Sequence, residues 1–336
     1  MPHHITLIPG DGIGPEVADA TIEVLEATGV HIIWDKQLAG LSALHSTGES
    51  LPRATLDSVR EHKVALKGPT TTPVGGGHTS ANVVLRRELD LYASIRPVKS
   101  VPGVQTRYND VDLVVFRENT EGLYAGLENQ VSKGVILSIK VVTEAASRRI
   151  ARAAFEYARR HGRKRVTAVH KANIMKLGDG FFLKCVQSIA TEYPEITYDE
   201  AIIDALCMRL VQDPREFDIM VMENLYGDIV SDLCSGLVGG LGMVPGANIG
   251  EHEAVFEAVH GSAPDIAGKG IANPTALIKS AALMLAHLGE LSAAENLADA
   301  VDKVISEGKV RTVDLGGTAT TSDFTRELVR VIKAEA

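Results

Sequence analysis

The sequence predicts an α/β protein folded as two lobes. Short β-branched runs alternate with longer segments of helical period, the pattern of strands that cross over through helices. The last third of the chain is almost all helical in pattern. And 336 residues, 45% of them hydrophobic, suit one large domain or two ordinary ones at roughly 100–200 residues each.

Residues 5–8 (ITLI) read as the first strand. Pro15–Thr28 follows as a helix, with Pro15 in a first turn where its missing N–H has no partner to lose. A second strand is expected at 31–34 (HIIW), a helix over Leu51–Glu61 and a strand at 64–67 (VALK). Residues 111–116 (VDLVVF), 135–142 (VILSIKVV), 165–170 (RVTAVH) and 217–222 (FDIMVM) are rich enough in β-branched residues to be strands. Between them Thr143–His161, Gly178–Tyr193 and Leu206–Gln212 carry helical spacing. Pro274–Leu288, Ala293–Glu307 and Ser322–Ala334 complete the helical end, the last capped by Asp323 or Ser322. Two glycine-rich stretches, Gly68–Gly77 and Gly236–Gly250, are where the chain is expected to cross between lobes, since glycine permits the needed dihedrals. The lobes then fall at 1–97 with 243–336 and at 98–242, with a cleft between them.

Charge and cysteine usage narrow the function. Lysine and arginine number 34 against 43 acids, a net charge of −9, which argues against a nucleic-acid partner. No apolar run approaches the ~18 residues of a membrane helix. The best candidate, Thr275–Leu288, is broken by Lys279 and His287. Cys185, Cys207 and Cys234 are scattered with no CxxC pair, so they read as thiols of a reducing compartment. The strand-like start at Ile5 leaves no room for a leader, and the expected location is cytoplasmic.

Gly10-Asp11-Gly12-Ile13-Gly14-Pro15 follows a strand and opens a helix, and Asp35 lies some 20 residues on. It invites a dinucleotide-fold reading. Pro15 stands where the third glycine belongs, so the fingerprint is rejected and a tight strand-to-helix turn is expected instead.

The arginines say more. Arg117 ends the apolar strand VDLVVF, poorly placed for water, and Arg86 and Arg96 lie in two further segments. Each could pair with a nearby acid (Glu88, Asp90 or Glu118). Together, with Ser80 and Asn82 behind a triple-glycine loop, they suit a small polycarboxylate held bidentately. Asp228 and Asp232 stand i, i+4 and repel unless a cation lies between them; a helix start would welcome Asp228 at its positive dipole end but not Asp232, and Asp204 is a third acid in an apolar setting, AIIDAL. Three carboxylates suit magnesium or manganese. Lys171 directly follows a strand and could serve as a base if a metal lowers its pKa, or be a solvated lysine. Tyr124 could be an acid or a satisfied core tyrosine. The small-residue loop from His260 through Gly261, Ala263, Asp265 and Ile266 to Asn273 would let a flat ring approach the backbone. Asp265 there would either accept ribose hydroxyls and repel a 2′-phosphate, favouring NAD, or simply terminate the loop.

Eight segments occur in one order: IPGDGIGPE (8–16), KGPTTTPVGGG (67–77), LRRELDLYASIRP (85–97), FRENTEGLYAG (116–126), HKANIMK (170–176), NLYGDIVSD (224–232), GANIGE (246–251) and HGSAPDIAGKGIANP (260–274). Together they resemble the metal-dependent β-decarboxylating dehydrogenases: the isocitrate, 3-isopropylmalate, homoisocitrate and tartrate/malate enzymes. The resemblance implies a two-lobed α/β fold with a mixed sheet, not a Rossmann fold. It implies that Arg86, Arg96 and Arg117 hold substrate carboxylates, with Ser80 and Asn82 beside them. Tyr124 and Lys171 would take the acid–base roles, and Asp204, Asp228 and Asp232 would surround Mg2+ or Mn2+. NAD would lie along Thr72, Asn82, His260, Gly261, Ala263, Asp265, Ile266 and Asn273. Lys171 and Asp204 would come from the neighbouring subunit of a homodimer.

Ser80 and Asn82 are similar to the isocitrate pattern, whereas isopropylmalate enzymes carry apolar residues there. The expected reaction is oxidation of isocitrate by NAD to 2-oxoglutarate and CO2, with homoisocitrate as the nearest alternative substrate. A non-catalytic regulatory subunit would have lost acid–base or metal residues that are all present here. Arg326 is discordant: NADP-using relatives carry a phosphate-binding arginine at that place, although Ser322 replaces their tyrosine.

Overall fold

The computed structural model describes residues 2–72 and 80–335, the side chain of the last excepted. The chain opens with β1 (His3–Ile8), α1 (Gly14–Ala27), β2 (Ile32–Lys36), α2 (Leu41–Thr47), α3 (Arg53–His62), β3 (Val64–Lys67) and α4 (Ala81–Glu88). It continues through β4 (Ala93–Lys99), β5 (Asp112–Glu118), the hairpin β6 (Gly122–Ser132) and β7 (Val135–Val141), and α5 (Glu144–Arg160). Next come β8 (Arg165–His170), α6 (Gly178–Ala190), β9 (Thr197–Ile202), α7 (Ile203–Gln212), β10 (Ile219–Met222) and α8 (Asn224–Leu237). β11 (Pro245–Ile249), β12 (Ala254–Ala258), α9 (Thr275–His287), α10 (Leu291–Glu307) and α11 (Thr321–Glu335) end it.

Ten strands form one sheet in the order β2-β1-β3-β12-β11-β4-β5-β10-β8-β9. The outer pairings are all parallel. The three central ones, β12–β11, β11–β4 and β4–β5, are antiparallel. This is the mixed sheet expected, and its strand order is not that of a Rossmann fold. Helices cover it in four apolar clusters: α1, α9, α10 and α11 over the β1–β3–β12 side, α5 and α6 over β5, β8 and β10, α7 and α8 on the opposite face, and α3 with α4 beside β1 and β3. α9 is buried nearly all round, from Ala276 to Leu285, which explains why it is the most continuously apolar run in the chain. No helix among the described residues is long and apolar enough to cross a membrane.

The expected strands and helices all form, with ends shifted by at most three residues. Five strands went unseen in the sequence. β11 starts at Pro245 and contains Gly246, residues that usually argue against a central strand, yet it pairs on both sides. Part of the Gly236–Gly250 stretch is therefore sheet. Much of the other stretch, residues 73–77, lies outside the described residues, as does Thr79. The cap of α11 is also corrected. Thr320, one residue before the helix, accepts the Asp323 N–H at 3.1 Å while the Asp323 carboxylate takes the Thr320 N–H at 3.1 Å, a reciprocal capping box rather than a cap by Ser322 or Asp323 alone.

The Gly10–Gly14 turn is a tight backbone junction, as expected. Asp11 N–H donates to Pro69 O at 2.7 Å and Ile13 N–H to Ser262 O at 2.9 Å. The Asp11 carboxylate accepts the N–H groups of Leu41, Ser42 and Thr71. Gly12 has φ +60°, and a Cβ on it would lie 2.0 Å from Ser262 O. Gly12→Ala should therefore lower stability by upwards of about 2 kcal/mol, combining strained backbone with a clash. The urea midpoint measures it; an unchanged midpoint would mean that the loop around Ser262 is not pressed onto this turn.

Candidate active site

Three of the predicted arginines converge. Arg117, at the end of β5, is 1% exposed, and its Nε and Nη2 donate to Asn224 Oδ1 on α8 at 3.0 and 2.7 Å. Its Nη1 meets Asp228. Arg96, on β4, donates to Ser231 Oγ at 2.5 Å and lies 3.4 Å from Asp232. Arg86, on α4, bonds Glu257 at 3.0 Å. None of them uses the acids nearest in sequence. Glu88 faces Arg60, Asp90 is gripped by Arg149, and Glu118 accepts from Thr120.

So many buried cations perturb one another. Burial, then the charges of Arg86 and Arg96, pull Arg117 down to about 10. Burial and Arg86 lower Arg96 as well. Burial pushes Asp228 up, but Arg117, the Tyr124 hydroxyl, Arg96 and Arg86 outweigh it and hold the carboxyl below its usual range. Tyr124 donates to Asp228; burial and that carboxylate raise the phenol, which keeps its proton at neutral pH. Asp232 is raised by burial, with Asp228 adding repulsion that Arg96 opposes.

Two buried residues here were not singled out in the sequence, Lys67 at the end of β3 and Glu257 on β12. Lys67 Nζ meets Glu257 at 2.7 Å, and Asn248 donates to the same carboxylate at 2.7 Å. Burial raises Glu257, but Lys67 and Arg86 hold it far below the carboxylate range. The signal was present: Lys67 closes the apolar run VALK, the reasoning that found Arg117, and Glu257 is a lone charge inside the apolar run AVFEAV. The same reasoning misled at Asp204. Its sequence neighbours are apolar, but it sits on the outer face of α7 at 67% exposure, so its setting is not an apolar one.

Lys67, Asn82, Arg86, Arg96, Asn248 and Glu257 line a polar cavity of about 140 Å3. It adjoins a more apolar groove of about 520 Å3 between Ile13, His260, Ala263, Ile266, Asn273 and Val313, and His260 and Gly261 border both. Burial lowers the His260 imidazole, leaving it neutral. Five expected cofactor residues, His260, Gly261, Ala263, Ile266 and Asn273, thus share one groove. Thr72 and Asp265 are exposed and do not line it, and Ser80 begins α4 without a side-chain cap bond.

Lys171 and Asp204 stand apart from this group. They pair with each other, and Lys171 lowers the Asp204 carboxyl. Fully buried Asp179 accepts the Lys171 main-chain N–H at 2.6 Å. Within one chain, among the described residues, no three His, Cys, Asp or Glu side chains come together to hold a metal. Asp228 and Asp232 offer two hard oxygen donors on one face of α8, fitting a divalent cation that a third carboxylate would complete.

A pocket of guanidinium groups joined through a shared wall to an apolar groove for a flat ring is the layout of an oxidoreductase acting on a small acid. The chain belongs to the isocitrate/isopropylmalate dehydrogenase family, whose sequence model matches residues 4–328. It is 56% identical over 96% of its length to an Arabidopsis thaliana protein named mitochondrial isocitrate dehydrogenase [NAD] catalytic subunit 5, covering 87% of that protein. It is 55% identical over 91% of its length to the chloroplastic 3-isopropylmalate dehydrogenase of Solanum tuberosum, covering 86% of that protein. Its fold superposes on the crystal structure of isocitrate dehydrogenase from Methylococcus capsulatus with a TM-score of 0.96 at 53% identity, covering 98% and 99% of the two chains.

These relatives correct the expected cytoplasmic location. The Arabidopsis protein is named as mitochondrial, as are further isocitrate dehydrogenase relatives. Free thiols mark a reducing compartment without saying which one. Cys185, Cys207 and Cys234 are indeed unpaired here.

One buried acid makes stability pH-dependent. Glu223 shares Lys140 with Asp179; burial, opposed by Lys140, pushes it from 4.5 up to about 7. The folded chain thus holds a proton that the unfolded chain releases. The stability it contributes is complete below 4.5 and is lost as pH rises through about 7. Glu223→Gln should flatten the fall in unfolding free energy between those values. Denaturant titrations across that range check it, and a slope equal to wild type would exonerate Glu223.

Proposed function

We propose that this protein is an NAD-dependent isocitrate dehydrogenase, forming 2-oxoglutarate, CO2 and NADH. The observation that carries the reading is the polar cavity ringed by Lys67, Asn82, Arg86 and Arg96, with Arg117 beside it. Identity does not separate isocitrate from isopropylmalate relatives, at 56% and 55%. The cavity wall does: Asn82 is where an isopropyl group would need apolar contact, and it suits a third carboxylate.

The arginines hold the substrate's carboxylates and orient C2 toward the groove of His260 and Ile266. Lys171 removes the C2-hydroxyl proton. Tyr124, kept protonated by its surroundings, returns a proton at C3 after CO2 has left. Asp228 and Asp232, with Asp204 of a second copy, would hold Mg2+ or Mn2+, which when bound acidifies the hydroxyl and stabilises the enolate. His260, Gly261, Ala263, Ile266 and Asn273, with Asn82, Thr72 and Asp265 at the margins, would hold NAD, which would supply the hydride acceptor.

A homodimer with shared sites belongs to this reading. The pairing of Lys171 with Asp204, away from Tyr124 and Asp228, supports their acting in a partner's cavity. The hairpin β6–β7 supports it too, exposing Val131, Ile136 and Leu137 at 50–66%, an apolar surface that calls for cover. The lobes are proposed as 1–97 with 243–336, and 98–242; nearly every residue of each core cluster falls on one side of that division. The name "catalytic subunit" on the Arabidopsis relative favours a second assembly, in which the partner is a different but homologous chain.

Two experiments decide. Across isocitrate, homoisocitrate, isopropylmalate, malate and tartrate, isocitrate with NAD should give the highest kcat/KM. NADP should be poorer by at least ~100-fold, about 2.7 kcal/mol, since Asp265 would face its 2′-phosphate and Arg326 is already engaged by Asp323. Preference for isopropylmalate, or equal use of both cofactors, would overturn the assignment. A purified mixed dimer of Lys171→Met and Tyr124→Phe chains should keep one intact site and roughly half the wild-type kcat, whereas sites confined to single chains would leave none.

A further inference from the structure

On the far side of the segment that walls the cofactor groove lies another groove, of about 720 Å3, between residues 308–319 and α11. Lys309, Arg311, Arg326 and Arg330 line it, with Asp323 and Glu327. It shares no lining residue with the substrate cavity or the cofactor groove. Three of its cations have carboxylate partners: Lys309 with Glu307 at 2.9 Å, Arg330 with Glu327 at 2.7 Å, and Arg326 with Asp323.

Arg311 is different. No hydrogen bond or ion pair engages its guanidinium among the described residues, and its Nε is buried without an acceptor. Nor is it a stray surface group. A Cβ on Gly308 would come within 2.8 Å of its Nη2 and 3.1 Å of its Cζ, and one on Gly103 within 3.0 Å of Nη2. Two glycines thus leave room for a charged group that lacks a counter-ion. A buried donor without an acceptor is destabilising, more so when charged. An anion supplying oxygen acceptors would relieve it, and guanidinium matches phosphate bidentately.

We propose that this groove is a binding site for a compact phosphate-class anion, with Arg311 as the principal contact and Lys309 and Arg330 at its rim, acting on cofactor affinity through the adjoining segment. The connection is short. Arg311 precedes Thr312, whose hydroxyl donates to Asp314 at 2.5 Å, and Asp314 accepts from Asn273 at 2.8 Å. Val313, Asp314 and Asn273 all line the cofactor groove. An anion that fixes Arg311 would also fix that wall.

Calorimetry on the full-length protein with inorganic phosphate and with pyrophosphate, at ionic strength held constant with sodium chloride, tests the site without reference to catalysis. One anion should bind per chain at millimolar concentration or below, at least tenfold more weakly in Arg311→Gln and several-fold more weakly in Arg330→Gln. The second variant lies on the exposed side of α11 and keeps the test open should the first not fold. Saturating phosphate should change NADH affinity, read by nucleotide fluorescence, in wild type but not in Arg311→Gln. No binding of either anion, or binding equal in wild type and both variants, would refute the site. Displacement of phosphate by NADP but not by NAD would assign the groove to a cofactor 2′-phosphate and overturn the proposal of a separate site.

Discussion

Burying three guanidinium groups beside one another is the constraint around which this molecule is arranged. Arg86 depresses the basicity of Arg96 and Arg117, and Arg96 that of Arg117, so the pocket is a concentration of positive charge in a low dielectric. Its neutralisation comes from opposite directions. Glu257 reaches in from the centre of the sheet, and Asp228 and Asp232 from α8. Each counter-charge is shared, Glu257 with Lys67 and Asp228 with Tyr124. An anionic substrate bound as proposed would complete an electrostatic balance that the protein leaves partly open.

The sheet is what allows these charges to meet. Parallel flanks on either side deliver strand ends and helices as in other α/β proteins. The antiparallel centre, β11 and β4, joins the flanks without a crossover helix, so Arg96 and Asn248 can project from central strands into the space between. Continuous main-chain pairing crosses the site from β12 to β5. The cavity is walled by paired strands rather than by loops alone.

Much of this was legible in the chain itself, and the failures share one physical cause. Arg117 was found because a strong charge closing an apolar strand is conspicuous, and the i, i+4 aspartates because helix geometry is local. Lys67 carries the same local mark and Glu257 is a charge inside an apolar strand, but both were passed over, each becoming intelligible only beside the other, 190 residues away. Asp204 shows the converse: apolar sequence neighbours did not mean apolar surroundings, because on α7 they point elsewhere. β11 was hidden by Pro245 and Gly246, whose weak strand preference is overridden by partners on both sides. The acids beside the arginines in sequence proved irrelevant, since β-strands and helices carry them to other faces.

The glycine turn after β1 has one more implication. It bonds to the loop at Pro69 and to the loop at Ser262 through main-chain atoms, with the Asp11 carboxylate adding the Thr71 N–H, and these two loops border the polar cavity and the apolar groove. On the function proposed above, the gap that a hydride crosses is thereby gauged from a common datum, built largely of peptide units whose lengths do not vary with side-chain identity. Drift in the surrounding residues can retune which acid is accepted or which nucleotide is preferred while the spacing between the two sites keeps its tolerance.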